Sequence, residues 1–279
     1  LAVQRTLTVL LDRRMTAIKV KAMEDQQEHD GAKLASVADR AEERAGLRRG
    51  IYLLPNLITT GALFSGFFSI ISSMSGALEN AAVAILISGV LDALDGRIAR
   101  LTNTQSEFGV QYDSLSDLVA FGVAPAVLMF SWLLSDLGKI GWMVAFLYMA
   151  CAALRLARFN TKPDNTVFFG LASPMAAGLL ATSVWVWTDN VASDVTLPIA
   201  IPMAVLTALA AVLMVSSIRY YSPKQIDMHR VPFMYMLAVV ALFALVFVNP
   251  PLVLLSLSIL YAASGPLQAL LLKRKRAGV

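Results

Sequence analysis

The stretch Asp92-Ala-Leu-Asp95-Gly96-Arg97-Ile98-Ala99-Arg100, followed after eight residues by Gly109-Val-Gln-Tyr-Asp113-Ser-Leu-Ser-Asp117, decides the fold. Apolar runs flank it on both sides, so four aspartates stand in what otherwise reads as membrane-spanning helix. One carboxylate at the bilayer centre costs about 2.5–3.5 kcal/mol on insertion scales, and four are expensive unless something neutralises them. A divalent cation ringed by oxygen ligands is the simplest neutraliser. Acids around a divalent cation in a membrane protein point to chemistry on a phosphate. For any single acid pair, a proton relay, an ion-transport site or an Asp–Arg salt bridge competes with that reading. All four acids, with the interleaved glycines, Ala99 and Arg100, are a more specific pattern.

Charge is scarce elsewhere. Of 279 residues, 57% are hydrophobic and 15% charged, against roughly a quarter charged in a soluble domain. The deficit deepens after residue 50, because the first 50 residues hold 10 of the 23 Lys and Arg and 8 of the 19 Asp and Glu. Residues 51–279 therefore read as an all-α integral membrane domain, long enough for about eight crossings of roughly 20 residues. A soluble helical core does not account for runs such as 231–248, which lack a polar face. The net charge of +4 is spread along the chain in small groups and carries no nucleic-acid signature. The lone cysteine, Cys151, excludes an intrachain disulfide and reads as helix packing.

Eight apolar segments fall at about 52–74, 79–101, 108–134, 140–159, 168–188, 196–217, 231–249 and 251–272. The links between them alternate in character. Arg97 and Arg100 close the second segment, and Arg155, Arg158 and Lys162 follow the fourth. Arg219, Lys224 and Arg230 join the sixth to the seventh, and Lys273, Arg274, Lys275 and Arg276 follow the eighth. The links near 76–80, 135–139, 189–194 and 249–251 contain Lys139 as their only basic residue. By the positive-inside rule, both termini and the aspartate cluster are expected on the cytoplasmic side.

Residues 1–50 differ in kind. The first 23 mix leucine, valine and isoleucine with Arg5, Arg13, Arg14, Lys19 and Lys21, as an interfacial helix on anionic headgroups would. Residues 24–49 crowd charges of both signs, and 36–43 fit a solvated helix. A cytoplasmic regulatory tail with no catalytic part is the other reading, and both stand. No uncharged core of adequate length follows a basic start, so a cleaved signal peptide is not expected. The chain is thus expected to divide into an N-terminal segment, 1–50, and a transmembrane catalytic domain, 51–279.

Within the deciding stretch, Asp92 and Asp95 are three apart and share one helix face, separated by about 4.5 Å along the axis. Asp113 and Asp117, four apart, share another. Two such helices packed antiparallel through a turn at 102–107 would bring both pairs to one centre, with room for one or two divalent ions. Gly96 and Ala99 leave backbone exposed to a bulky ligand, Gly109 does so one turn before Asp113, and Arg100 offers a fixed positive charge to a phosphate oxygen.

The pattern D-x2-D-G-x2-A-R-x8-G-x3-D-x3-D, matched at every defined position from Asp92 to Asp117, resembles the signature of the CDP-alcohol phosphatidyltransferases. The resemblance covers the chain from about residue 51 onward. It implies a membrane-embedded helical enzyme, a homodimer, that displaces CMP from a CDP-linked lipid with the hydroxyl of an alcohol. Carried onto these residues, it makes Asp92, Asp95, Asp113 and Asp117 ligands of a divalent metal, Mg²⁺ or Mn²⁺, with Asp117 also the general base. Gly96, Ala99 and Arg100 would hold the CDP moiety, with space made by Gly109. Asn56 and Thr59, about one helical turn apart, would hydrogen-bond the nucleotide; helix capping is the plainer role for Asn56.

The acceptor is read from flanking segments: 53–60, 117–125, 153–160, 169–178 and 219–224. Together they resemble the membrane-type phosphatidylserine synthase branch of that family, found in bacterial inner membranes. CDP-diacylglycerol and L-serine are then the expected substrates. The histidine-based, phospholipase D-like route is excluded, because only His29 and His229 are present and neither sits in a suitable motif. Arg155 and Arg158, three apart on one face, would bind the serine carboxylate or a lipid phosphate; snorkelling at a helix end is their other explanation. A sister enzyme using glycerol 3-phosphate, inositol or an inositol phosphate is the near alternative. A divalent-cation transporter is the remote one.

Overall fold

The computed structural model describes residues 53–102, 104, 106–161, 169–190, 197–218, 220 and 233–277. The expected N-terminal segment, both histidines and the basic residues Lys162, Arg219, Lys224 and Arg230 lie outside the described residues. From Pro55 onward the chain forms one compact unit.

Every regular element among the described residues is helical. In chain order they are α1 (Leu53–Met74), α2 (Leu78–Leu101), α3 (Glu107–Asp117), α4 (Ala124–Trp132), α5 (Lys139–Thr161), α6 (Ser173–Asn190), α7 (Leu197–Val215), α8 (Phe233–Val248) and α9 (Pro250–Ala277). A π-helical turn, Leu118–Val123, joins α3 to α4 without a break in the rod, and a short 3₁₀ turn, Leu134–Leu137, leads into α5. Five of these stretches are long and apolar enough to cross a membrane: Leu53–Met74, Glu107–Trp132, Lys139–Thr161, Pro198–Val215 and Pro250–Ala269. Three of the eight expected segments fall short on length or composition. α2 carries Asp92, Asp95, Arg97 and Arg100, α6 ends in Asp189 and Asn190, and α8 has 16 residues.

The outside of the bundle is apolar. Phe64, Phe67, Phe68 and Ile71 on α1, Trp142, Met143 and Phe146 on α5, and Ile201, Val205, Leu209 and Val212 on α7 are all exposed. Contiguous apolar surface of this extent is untenable in water and suits lipid chains, which marks an integral membrane protein. The inside is built from small residues, as membrane helices pack. Ala81, Ala82 and Ala84 of α2, Ala120 and Ala124, Ala152 of α5, and Ala176, Ala177 and Ala181 of α6 are buried.

A hydroxyl ladder fastens α1 to α2. Ser69 Oγ donates to the Ala81 carbonyl, Ser65 Oγ to the Ala84 carbonyl and Ser88 Oγ to the Ala62 carbonyl, each at 2.8 Å. The partners run in opposite order, so the two helices are antiparallel. Gly66 brings α1 against the π turn so closely that a methyl group there would stand 2.8 Å from Ala120 Cα. The buried Tyr148 hydroxyl of α5 donates to the Phe121 carbonyl in the π turn at 3.2 Å.

The start of α6 departs from the sequence expectation by about five residues. Its helix begins at Ser173, because the residues before it bond to the last turn of α7 and to the chain just after it: Leu171 N to Leu213 O and Gly170 N to Ile218 O, each at 2.9 Å. Gly170 has φ +79°, and a side chain there would strike the Met214 carbonyl. A left-handed residue in contact with backbone must be glycine.

Candidate active site

α2 and α3 meet at the end of the α1–α2 ladder, joined through the short link after Leu101. Ser106 caps α3: its Oγ accepts from Gly109 N at 3.0 Å, satisfying one of the first-turn donors. This fold-back brings carboxylate oxygens of Asp92, Asp95 and Asp113 within 4.8 Å of one another. Asp117, one helical turn beyond Asp113 on α3, lies near enough to Asp92 to feel its charge. The fold thus gathers three of the four acids that the spacing expectation put at one centre. Asp95 is buried, and the other three acids are half-buried.

Thr59 is the knot of the site. Its hydroxyl donates to Asp95 Oδ2 at 2.6 Å, with the Pro55 carbonyl 3.0 Å away as the weaker alternative. Its carbonyl accepts from Ser116 Oγ at 3.2 Å. One threonine thus ties α1, α2 and α3 together, and all three side chains are buried. Sequence reasoning took Thr59 for a nucleotide contact; here its hydroxyl is spent on a carboxylate, although the residue also lines the adjoining cleft.

That cleft, about 240 Å³, is lined by Pro55, Asn56, Thr59, Asp95, Gly96, Ala99, Arg100, Thr104, Ser106, Gly109, Val110 and Asp113. Every residue the sequence assigned to nucleotide binding is among them. At Gly96 an added methyl group would meet nothing closer than an Arg100 nitrogen at 3.9 Å, so the wall is open there. At Gly109 it would press on Ser106 Oγ at 3.1 Å and Asn56 Oδ1 at 3.3 Å. Gly109 therefore lets α1 and the α3 cap close on each other as well as leaving space. Ser106 and Thr104 were not singled out from sequence, though a serine one residue before Glu107 is a readable cap signal.

Arg155 and Arg158 part company. Arg158 is exposed and lies over the Phe169 ring, 5.9 Å from its centre. Arg155 turns inward, with Nη1 donating to Ser173 Oγ at 2.6 Å.

The donor set fits a divalent cation. Three carboxylates whose oxygens converge within 4.8 Å form an all-oxygen cluster that suits a cation. Asp95 is oriented by the Thr59 hydroxyl, as carboxylate ligands usually are. A cleft beside such a cluster, with Arg100 on its wall, has the makings of a phosphate site.

Residues 52–265 match the family model described as CDP-alcohol phosphatidyltransferase. Among curated relatives, a CDP-diacylglycerol–serine O-phosphatidyltransferase from Helicobacter pylori is 37% identical over 203 residues, covering 72% of this chain and 84% of that protein. A protein of the same name from Methanocaldococcus jannaschii is 35% identical over 198 residues, covering 71% and 88%. An archaetidylserine synthase from Methanothermobacter thermautotrophicus is 36% identical over 170 residues, covering 60% and 69%.

Proposed function

The chain belongs to the CDP-alcohol phosphatidyltransferase family, and on that premise we propose that it transfers the phosphatidyl group of CDP-diacylglycerol to the hydroxyl of L-serine, releasing CMP. The observation that carries this reading is the convergence of Asp92, Asp95 and Asp113 beside a cleft that Gly96, Ala99 and Arg100 line. The acceptor is taken from relatives in bacteria and archaea whose names contain serine.

The residues divide the work as follows. Asp92, Asp95, Asp113 and Asp117 hold the divalent cation, which when bound supplies charge neutralisation to the pyrophosphate; Mg²⁺ and Mn²⁺ both suit oxygen donors. Asn56, Gly96, Ala99, Arg100 and Gly109 bind the CDP moiety, with Arg100 on a phosphate oxygen. Asp117 takes the proton of the serine hydroxyl, a poor nucleophile at neutral pH without a positioned base. The serine oxygen bonds to the phosphorus that carries diacylglycerol, the bond from that phosphorus to the bridging oxygen breaks, and CMP leaves with the bridging oxygen. At least one of Arg155 and Arg158 binds the serine carboxylate or a lipid phosphate.

The same reading takes the chain as an eight-crossing homodimer of a bacterial inner membrane, with termini and active site cytoplasmic. The alternating basic links support that sidedness. The test is CMP release by the purified full chain from CDP-diacylglycerol with Mg²⁺ or Mn²⁺. The acceptors are L-serine, glycerol 3-phosphate, inositol and inositol phosphate. Release with serine alone is expected. Release only with a phosphorylated acceptor or inositol overturns the acceptor, and none with any alcohol overturns the reaction.

A further inference from the structure

Several elements converge on the Arg155 guanidinium. Arg155 follows Tyr148 by two turns on α5, so both lie on the face that meets the π turn. Asp117 ends α3, the helix that α5 runs beside: Asn160 Nδ2, five residues after Arg155, donates to Ser114 Oγ, three residues before Asp117, at 3.0 Å. Asp117 and Tyr261 of α9 lie within electrostatic reach of the guanidinium. Its Nη1 donates to Ser173 Oγ at 2.6 Å. Ser173 is held from two directions: it opens α6 wholly buried, and the residues before it are bonded to the last turn of α7 and to the chain just after it. Tyr261 is held as well. The Tyr220 ring lies 5.6 Å from it, the Tyr220 hydroxyl donates to Ala262 O at 3.1 Å, and a side chain at Gly265 would overlap the Tyr220 ring.

One group in this assembly is left over. Arg155 Nε is buried and has no hydrogen-bond partner among the described residues. A buried donor without an acceptor is costly and calls for one. Guanidinium meets carboxylate bidentately through paired N–H groups, and with Nη1 committed to Ser173, the Nε edge remains for that pairing. Serine is a short acceptor: two carbons separate its hydroxyl carbon's oxygen from its carboxyl carbon. Whatever grips its carboxylate must therefore stand next to the base that takes the hydroxyl proton. The Ser114–Asn160 bond on one side and the Gly122–Ala152 contact on the other bracket Asp117 and Arg155 at the same level of neighbouring helices, which is that juxtaposition.

Resting on the serine reading above, we propose that Ser173 is a positioning residue for acceptor recognition. Its hydroxyl holds the Arg155 guanidinium so that the Nε edge meets the carboxylate of an amino-acid acceptor while Asp117 faces the hydroxyl. The residue acts through Arg155 and touches no reacting atom.

The experiment compares the full-length wild type with Ser173→Ala and Ser173→Thr. It measures KM and kcat for L-serine, KM for CDP-diacylglycerol, and kcat/KM for serinol, an amino-alcohol lacking the carboxylate. Ser173→Ala is expected to raise KM for serine about tenfold and to leave KM for CDP-diacylglycerol within about twofold. The preference for serine over serinol shrinks by a similar factor, and Ser173→Thr restores it. An unmoved KM for serine overturns the proposal, as does a parallel loss for both substrates, which marks a merely structural serine. Should the variants fail to fold, the wild type still decides, because equal use of serinol and serine overturns the proposal outright. A wild type that releases CMP only with glycerol 3-phosphate instead overturns the serine reading itself.

Discussion

At the residue scale the four acids are not equivalent. Asp95 is buried and is oriented by Thr59, while Asp117 ends α3, the helix that bonds to α5 through Ser114 and Asn160. Asp117→Asn keeps a similar shape but cannot take a proton. It is expected to lower kcat by about 10²–10⁴ while CDP-diacylglycerol still binds, measured by CMP release and by equilibrium nucleotide binding. Asp95→Asn removes a charged ligand, so the Mn²⁺ concentration for half-maximal activity should rise, with recovery only at high metal. Thr59→Val leaves the ligand but frees its orientation. A loss of about 10–100-fold in Mn²⁺ affinity, read by electron paramagnetic resonance of the bound ion, is the expected result. Unchanged metal affinity in Thr59→Val would make Thr59 a fastener of helices only.

At the element scale the π turn sets the relation between α3 and α4. It follows Asp117 directly, and three contacts hold it: Gly66 against Ala120, Gly122 against Ala152, and Tyr148 on Phe121 O. Gly66→Val drives a side chain into backbone, which cannot yield as a flexible side chain would. It is expected to destabilise the fold by about 1–3 kcal/mol, seen as a lower Tm in detergent. Gly61→Ala on the same helix is the control, because its methyl group meets only Leu91 Cδ1 at an ordinary 3.6 Å, and its Tm should not move. Equal effects of the two would mean that Gly66 is not a packing constraint on the π turn.

At the scale of the whole molecule, the apolar exterior and the acids gathered toward one end of α2 predict a one-sided catalyst. Sidedness is testable because Cys151 is buried and is the only native thiol. In a Cys151→Ala background, Asp136→Cys is expected to react with a membrane-impermeant maleimide in intact cells. Thr102→Cys should react only after lysis. Reversed labelling would turn the active site outward and contradict the positive-inside assignment.

The sequence by itself determined the family and where its acids stand. Carboxylates three and four apart can share a helix face, and acids in apolar helix need a cation, so Asp92 to Asp117 announced a cluster before any packing was known. Hydropathy likewise determined a helical membrane chain, because backbone groups in lipid must bond within their own segment. Tertiary structure decided what no spacing encodes. It put the Thr59 hydroxyl on Asp95, made Gly66 a contact with the π turn, started α6 at Ser173, and turned Arg155 inward while Arg158 stayed outside. These are contacts between residues far apart in the chain, made by hydroxyls and glycines that are unremarkable locally. Their roles come from the partner that packing presents to them, and periodicity carries no information about that partner.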